Sequence, residues 1–188
     1  KTYITIPLQR QEQLYGFGLN FKTVHQRGRI LNLHVDHYGG KDDGRTHAPV
    51  PFYVSSCGYG ILINSARYLT VYAGSGSRKD SPDAPVAKDR NTDKTWSANP
   101  YSDAVSVLVP APGVEIYLFA GPQPMDVVRR YNLFCGGGTL PPRWGLGFTH
   151  RTPSLYTADQ VKQEAEEFER RGYPLDFIGL EPGWQSKS

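Results

Sequence analysis

The sequence predicts a mainly β protein: a β-sandwich followed by the opening β-α-β unit of a parallel α/β layer. As far as Gly121, Gly, Pro, Asn and Asp punctuate the chain at intervals of roughly eight to twelve residues, with β-branched and aromatic runs between them, the texture of antiparallel sheets. Beyond Gly121 the apolar spacing changes from alternation to a helical repeat. The closing stretch then places one capped helix between two short apolar runs, the order expected of a parallel crossover. The expected organisation is a sandwich over 1–121, a helical, Gly/Pro-rich linker over 122–142, and the start of an α/β domain over 143–188.

Nine strands are expected in the first region: Thr2 to Leu8, Leu14 to Asn20, Arg29 to Asp36, Pro51 to Ser55, Gly60 to Asn64, Tyr68 to Tyr72, Thr92 to Ala98, Ala104 to Val109 and Val114 to Ala120. Alternation is clearest where Val105, Val107 and Val109 share one face, as a half-buried strand requires. Gly74 to Lys94 has few large apolar side chains and reads as a long exposed loop. Met125 to Phe134 reads as a short helix with Pro124 in its first turn, stopped by Cys135-Gly136-Gly137-Gly138. That glycine triplet lacks the GxxxxGK[ST] pattern of a phosphate cradle, so a helix stop is the expectation.

In the last region Trp144 to Phe148 is expected as a strand, and Thr157 as an N-cap with Gln160 completing a capping box. Val161, Ala165 and Phe168 fall on one stripe, while Glu166 and Glu167 can pair with Arg170 and Arg171 before Gly172 stops the helix. Leu175 to Leu180 is apolar on both faces, as in a parallel strand covered on both sides. A right-handed crossover would bring Thr149, His150 and Arg151 beside Glu181 and Trp184.

Composition narrows the function classes. A net charge of +3 without a basic cluster gives no footprint for nucleic acid, and no apolar run approaches the roughly 20 residues of a membrane helix. Cys57 and Cys135 lack metal-site spacing and are expected as buried free thiols. The chain begins at Lys1 and shows no targeting segment, which leaves localisation open.

Glu181 is the strongest chemical candidate. A carboxylate at the C-terminal tip of a buried strand, with Pro182-Gly183 to turn the chain and Trp184 to offer a flat face, suits a sugar site; a surface turn with a packed tryptophan fits the same residues. Asp176 falls at the opposite end of that strand, where a structural role is expected. The polar segment Val35 to His47 holds three aspartates and two histidines, but its spacing matches no EF-hand or HExxH pattern. A turn, or a loop reaching toward a neighbouring pocket, is expected there instead. Glycoside hydrolysis needs two carboxylates, and only one is well placed.

Several motifs in order carry a resemblance: Leu14-Tyr15-Gly16-Phe17-Gly18, Val50-Pro51-Phe52-Tyr53-Val54 with Gly58-Tyr59-Gly60-Ile61-Leu62, Pro141-Pro142-Arg143-Trp144-Gly145-Leu146-Gly147-Phe148, and Pro174-Leu175-Asp176-Phe177-Ile178. Together they resemble glycoside hydrolase family 31, the α-glucosidases and α-xylosidases. The resemblance implies a mutarotase-like β-sandwich followed by the first β-α-β unit of a (β/α)8 barrel. It further implies a retaining exo-acting α-glycosidase without metal or organic cofactor, acting on an oligosaccharide or glycoside substrate. The family's nucleophile and acid/base are aspartates on later barrel strands, so the catalytic residues are expected beyond Ser188 and these residues alone are expected to be inactive. Glu181 matches the strand-two position where the family usually has a substrate-binding aspartate, and Asp36 matches an aspartate on a sandwich loop that enters the pocket. With Arg151 and Trp184 beside Glu181, these four are the expected substrate contacts.

Two departures bear on specificity. Glu in place of Asp at 181 extends the carboxylate by about 1.5 Å, and Thr149 to Ser154 lacks an aromatic residue often found there. An α-galactosidase or α-N-acetylgalactosaminidase is therefore an alternative within the family. A non-catalytic carbohydrate-binding sandwich and a mutarotase-like epimerase are alternatives outside it.

Overall fold

The structure, a computed structural model, describes residues 1–36, 43–75, 89–96 and 101–184. It divides into two compact units, Lys1–Gly137 and Gly138–Ser188. Among its described residues the first has eight strands: β1 (Thr2–Pro7), β2 (Leu14–Gly16), β3 (Arg29–Leu33), β4 (Phe52–Ser55), β5 (Tyr59–Asn64), β6 (Leu69–Ser75), β7 (Tyr101–Val109) and β8 (Glu115–Ala120). They form two four-stranded antiparallel sheets, ordered β1-β7-β6-β3 and β2-β4-β5-β8.

Alternation decides what the sandwich buries. Val105, Val107 and Val109 of β7 are fully buried, as their spacing predicts, and pack with Leu31, Val71 and Ala73 from the same sheet. Leu14, Tyr53, Ile61 and Ile63 of the other sheet complete this core. The outer face of that second sheet receives helix α1 (Pro124–Phe134), whose Val127 is buried among Phe52, Val54 and Phe119. Tyr131 of α1 stacks on Phe52 with ring centroids 3.8 Å apart. The approach is close because β5 presents no side chain at Gly60, where a Cβ would lie 2.5 Å from Val127 Cγ1. The helix inside the expected linker is thus packed on the sandwich.

Several sequence expectations change in this unit, among them the strand expected over Arg29 to Asp36, which ends at Leu33. The strand expected to run from Leu14 to Asn20 stops at Gly16, because Gly16, Phe17 and Gly18 all take positive φ. Phe17 bears that conformation at φ 62 while fully buried and stacked on Tyr53 at 5.2 Å, so burial offsets the backbone strain. The strand expected over Thr92 to Ala98 is a series of turns through Trp96, its last two residues lying outside the described ones. Asp89 accepts from Asn91 N at 2.8 Å and Asp93 from Thr95 N at 2.7 Å, side-chain bonds that favour turns over a ladder. Cys57 and Cys135 are free but exposed rather than buried, one in the β4–β5 turn and the other at the C-cap of α1. Of the expected loop Gly74 to Lys94, residues 76–88 lie outside the described residues.

The second unit comprises a 3-10 turn over Arg143–Leu146, β9 (Thr149–Arg151), α2 (Ala158–Arg170) and β10 (Phe177–Gly179). β9 and β10 pair in parallel, with Phe177, Ile178 and Gly179 opposite Thr149, His150 and Arg151. The first strand therefore begins after Phe148 rather than at Trp144. Pro142 leads into the tight turn, and Asp176 fixes its exit by accepting from Phe148 N at 2.8 Å. A Cβ at Gly147 would lie 2.0 Å from that carboxylate, so Gly147 makes room for it. Asp176 is accordingly a structural clasp at the N-terminal end of β10.

The capping box of α2 forms in full: Gln160 N donates to Thr157 Oγ1 at 3.3 Å, and Thr157 N to Gln160 Oε1 at 2.8 Å. Gly172, at φ 69, ends the helix. Val161, Ala165 and Phe168 are only half-buried, because this unit offers two strands to pack against. Among the described residues no helix is long and apolar enough to cross a membrane.

Candidate functional site

The two parallel strands deliver their C-terminal ends to one edge, where Arg151 and Glu181 meet. Arg151 Nε lies 2.6 Å from Glu181 Oε1, with the Glu181 side chain 29% exposed and that of Arg151 64% exposed. The ladder extends one step beyond the strands, since Thr152 N donates to Gly179 O at 3.1 Å. Glu181 then opens a turn closed by Trp184 N donating to Glu181 O at 3.3 Å, with Gly183 at φ 101. Trp184 follows on this turn with 62% of its surface exposed. A carboxylate, a guanidinium and an open aromatic ring are thus gathered at the edge where parallel sheets hold ligands. Carboxylate oxygens accept hydroxyl protons, guanidinium N–H groups donate, and an indole face packs against C–H groups.

His150 points away from this edge, toward α2. Its Nε2 lies 3.1 Å from Glu164 Oε1, and its ring is 4.9 Å from that of Phe168. It therefore serves the strand-helix interface, although its place beside Arg151 in sequence did not reveal this.

Asp36 belongs to the first unit. Asp36 N donates to Thr46 O at 3.1 Å, and its Oδ2 lies 3.3 Å from an Arg45 guanidinium nitrogen. Arg45 also grips Asp43, with Nε 3.0 Å from Oδ1, and this hydrogen bonding holds the Asp43 carboxyl below its usual range. Asp36 and Asp43 thus flank one guanidinium. Residues 37–42 of the same segment lie outside the described residues. Among the described residues no group of three His, Cys, Asp or Glu side chains is placed to hold a metal ion.

Sequence reasoning missed Gly179, where a Cβ would lie 3.3 Å from Arg151 Cγ. A glycine inside an apolar strand signals close approach of another group, and that signal was present.

The chain matches no protein-family model. A family 31 dextranase of Flavobacterium johnsoniae superposes with a TM-score of 0.71 at 24% identity, covering 97% of this chain and 20% of the dextranase. A cycloalternan-degrading enzyme of Trueperella pyogenes superposes with a TM-score of 0.65 at 18% identity, over 95% of this chain and 22% of its own. The fold is therefore one found within these carbohydrate-active enzymes.

Curated sequences narrow it further. An α-xylosidase, XylQ, of Lactiplantibacillus pentosus is 24% identical over 176 residues, which is 93% of this chain and 20% of XylQ. α-Glucosidase 2 of Bacillus thermoamyloliquefaciens is 26% identical over 177 residues, again 93% and 20%. The chain is thus similar in sequence to α-xylosidases and an α-glucosidase, and it spans about one fifth of the length of the curated relatives it matches.

Proposed function

We propose that this chain is part of a retaining exo-α-glycosidase and supplies the substrate-positioning edge of its sugar pocket. The observation that carries the reading is the meeting of Arg151 and Glu181 at the C-terminal end of the parallel strand pair, with Trp184 exposed on the following turn. Glu181 accepts hydrogen bonds from hydroxyls of the terminal sugar, Arg151 lies against it, and Trp184 offers a face for the ring. Asp36 is a further substrate contact in this reading, with Arg45 setting its orientation.

Hydrolysis with retention needs two catalytic carboxyls about 5 to 5.5 Å apart. In this reading the nucleophile and the acid/base are aspartates carried by residues other than these 188. The domain organisation follows: a sandwich over 1–121, a connecting stretch over 122–142 whose helix packs on the sandwich, and the opening of a (β/α)8 barrel over 143–188. The structural relatives include a dextranase complexed with isomaltotriose and an enzyme complexed with cycloalternan, which supports an oligosaccharide or glycoside substrate.

Glu181, longer by one methylene than the aspartate expected there, favours assaying beyond glucosides. The complete protein is to be tested on p-nitrophenyl α-glucoside, α-xyloside, α-galactoside and α-N-acetylgalactosaminide. The expected result is turnover of one of them with an α-configured first product, and none by the 188-residue chain alone. Failure of the complete protein on every α-glycoside would reject the reading, and turnover by the 188 residues would reject the placement of the catalytic acids.

A further inference from the structure

We propose that Arg151 is a positioning residue for Glu181, and that it reaches Glu181 along a track left open by Gly179. The proposal rests on the reading of this edge as sugar-binding and assigns a division of labour within it.

Arg151 stands opposite Gly179 in the parallel pair. A Cβ built on Gly179 would lie 3.3 Å from Arg151 Cγ and 3.9 Å from its Nε, so the arginine side chain runs directly over the glycine. Two residues further along the same chain, Glu181 Oε1 receives the guanidinium at 2.6 Å. The route has a simple steric condition. With no side chain at 179, the aliphatic stem of Arg151 lies flat on the strand instead of standing off it.

An ion pair this exposed adds little to folding, so its consequence is orientation. A glutamate has three side-chain rotors, and a free carboxylate on so long an arm would be spread over many positions. Contact with Arg151 holds Oε1 and leaves Oε2 as the oxygen that accepts a sugar hydroxyl. The brace thereby gives this long acid a fixed acceptor position.

A residue acting through Glu181 is distinguished from one that binds sugar itself by a double-mutant cycle. In the complete protein, assayed on its best α-glycoside, Arg151→Gln and Glu181→Gln are each expected to lower kcat/KM about 100-fold, the scale of a misplacement near 1 Å. The double variant is expected to fall within about threefold of Glu181→Gln alone. Gly179→Val, which alters neither charge, is expected to reproduce the loss of Arg151→Gln by blocking the track. Arg151→Lys keeps the charge and the stem but not the planar fork, and is expected to recover part of the activity. Melting temperatures near that of the unaltered protein exclude misfolding, and Arg151→Lys preserves the test if the larger changes do not fold.

Losses that multiply to about 10,000-fold in the double variant would make Arg151 an independent substrate contact and overturn the proposal. Full activity in Gly179→Val would overturn the track. An unaltered complete protein that cleaves no α-glycoside defeats the glycosidase reading and this inference with it, whereas an active protein with multiplicative losses defeats the inference alone.

Discussion

Two glutamates, one in each unit, show how differently the two halves of the chain are built. Glu12 is almost wholly buried in the sandwich and accepts from Gln9 N at 2.8 Å and from the hydroxyls of Ser55 and Tyr59, both at 2.5 Å. Its demands are met within the unit, and burial together with this bond raises the Tyr59 hydroxyl well above its ordinary pKa. Glu181 is held from one side by Arg151 at an open edge. The apolar residues divide in the same way. Among the described residues, fourteen buried ones form one core in the sandwich. In the second unit α2 has no buried residue, and Trp144, Leu146, Phe148 and Leu180 remain exposed. A two-stranded sheet is marginal by itself, and the one helix of this unit buries no residue fully against it. The difference teaches that cohesion resides in the sandwich, whereas the proposed sugar-binding edge lies in the unit with the least packing.

The largest test of this contrast is a pair of aromatic truncations. Phe17→Ala removes a fully buried ring stacked on Tyr53, and the cost expected is about 3 to 5 kcal/mol. Phe148→Ala, at a half-exposed position in the second unit, should cost less than about 1 kcal/mol. Urea unfolding of the 188-residue chain measures both; equal losses would show that the second unit shares the sandwich's cohesion.

The same contrast explains what the sequence made legible. Val105, Val107 and Val109 announced β7 because one face of that strand is wholly buried, and period two is then obligatory. The end of β2 was hidden because nothing in Phe17 itself signals a positive φ; the strain is sustained by a tertiary contact with Tyr53. Trp144 to Phe148 looked like a strand from its apolar character, but the Asp176 carboxylate occupies the space beside Gly147 and defers the ladder to Thr149. Asp176 and Gly147 are far apart in sequence, and local reading cannot pair them. At the site, Glu181 was legible as an acid ending an apolar strand, and the crossover rule brought Arg151 to it. The track over Gly179 was not, because a glycine signals close approach without naming what approaches.

A smaller effect is expected at the start of α2. Thr157→Ala removes the side-chain acceptor of Gln160 N, which is one half of the capping box, a loss of about 1 kcal/mol. Because the helix leans on few strands, the loss should appear as faster hydrogen exchange in α2, with the amides of β6 and β7 unchanged. Uniform acceleration across both units would mean that they open together.

The smallest expected effect lies at the other end of that helix, where an acid opposes the helix dipole. Glu167 takes hydrogen bonds from Arg170, at 2.7 and 2.5 Å, and from Arg171, and these hold its carboxyl down at about 2 from an ordinary value near 4.5. A depressed carboxyl stabilises the folded helix above its unfolded pKa, and that contribution is lost as pH falls from 4.5 toward 2. The side chain is 39% exposed, so salt screens the effect. Protection of the last turn of α2 should therefore decline across this window at low ionic strength, less so in high salt, and Glu167→Gln should flatten the decline. A decline that persists unchanged in Glu167→Gln would assign it to another carboxyl and leave the two arginines without a role at this helix end.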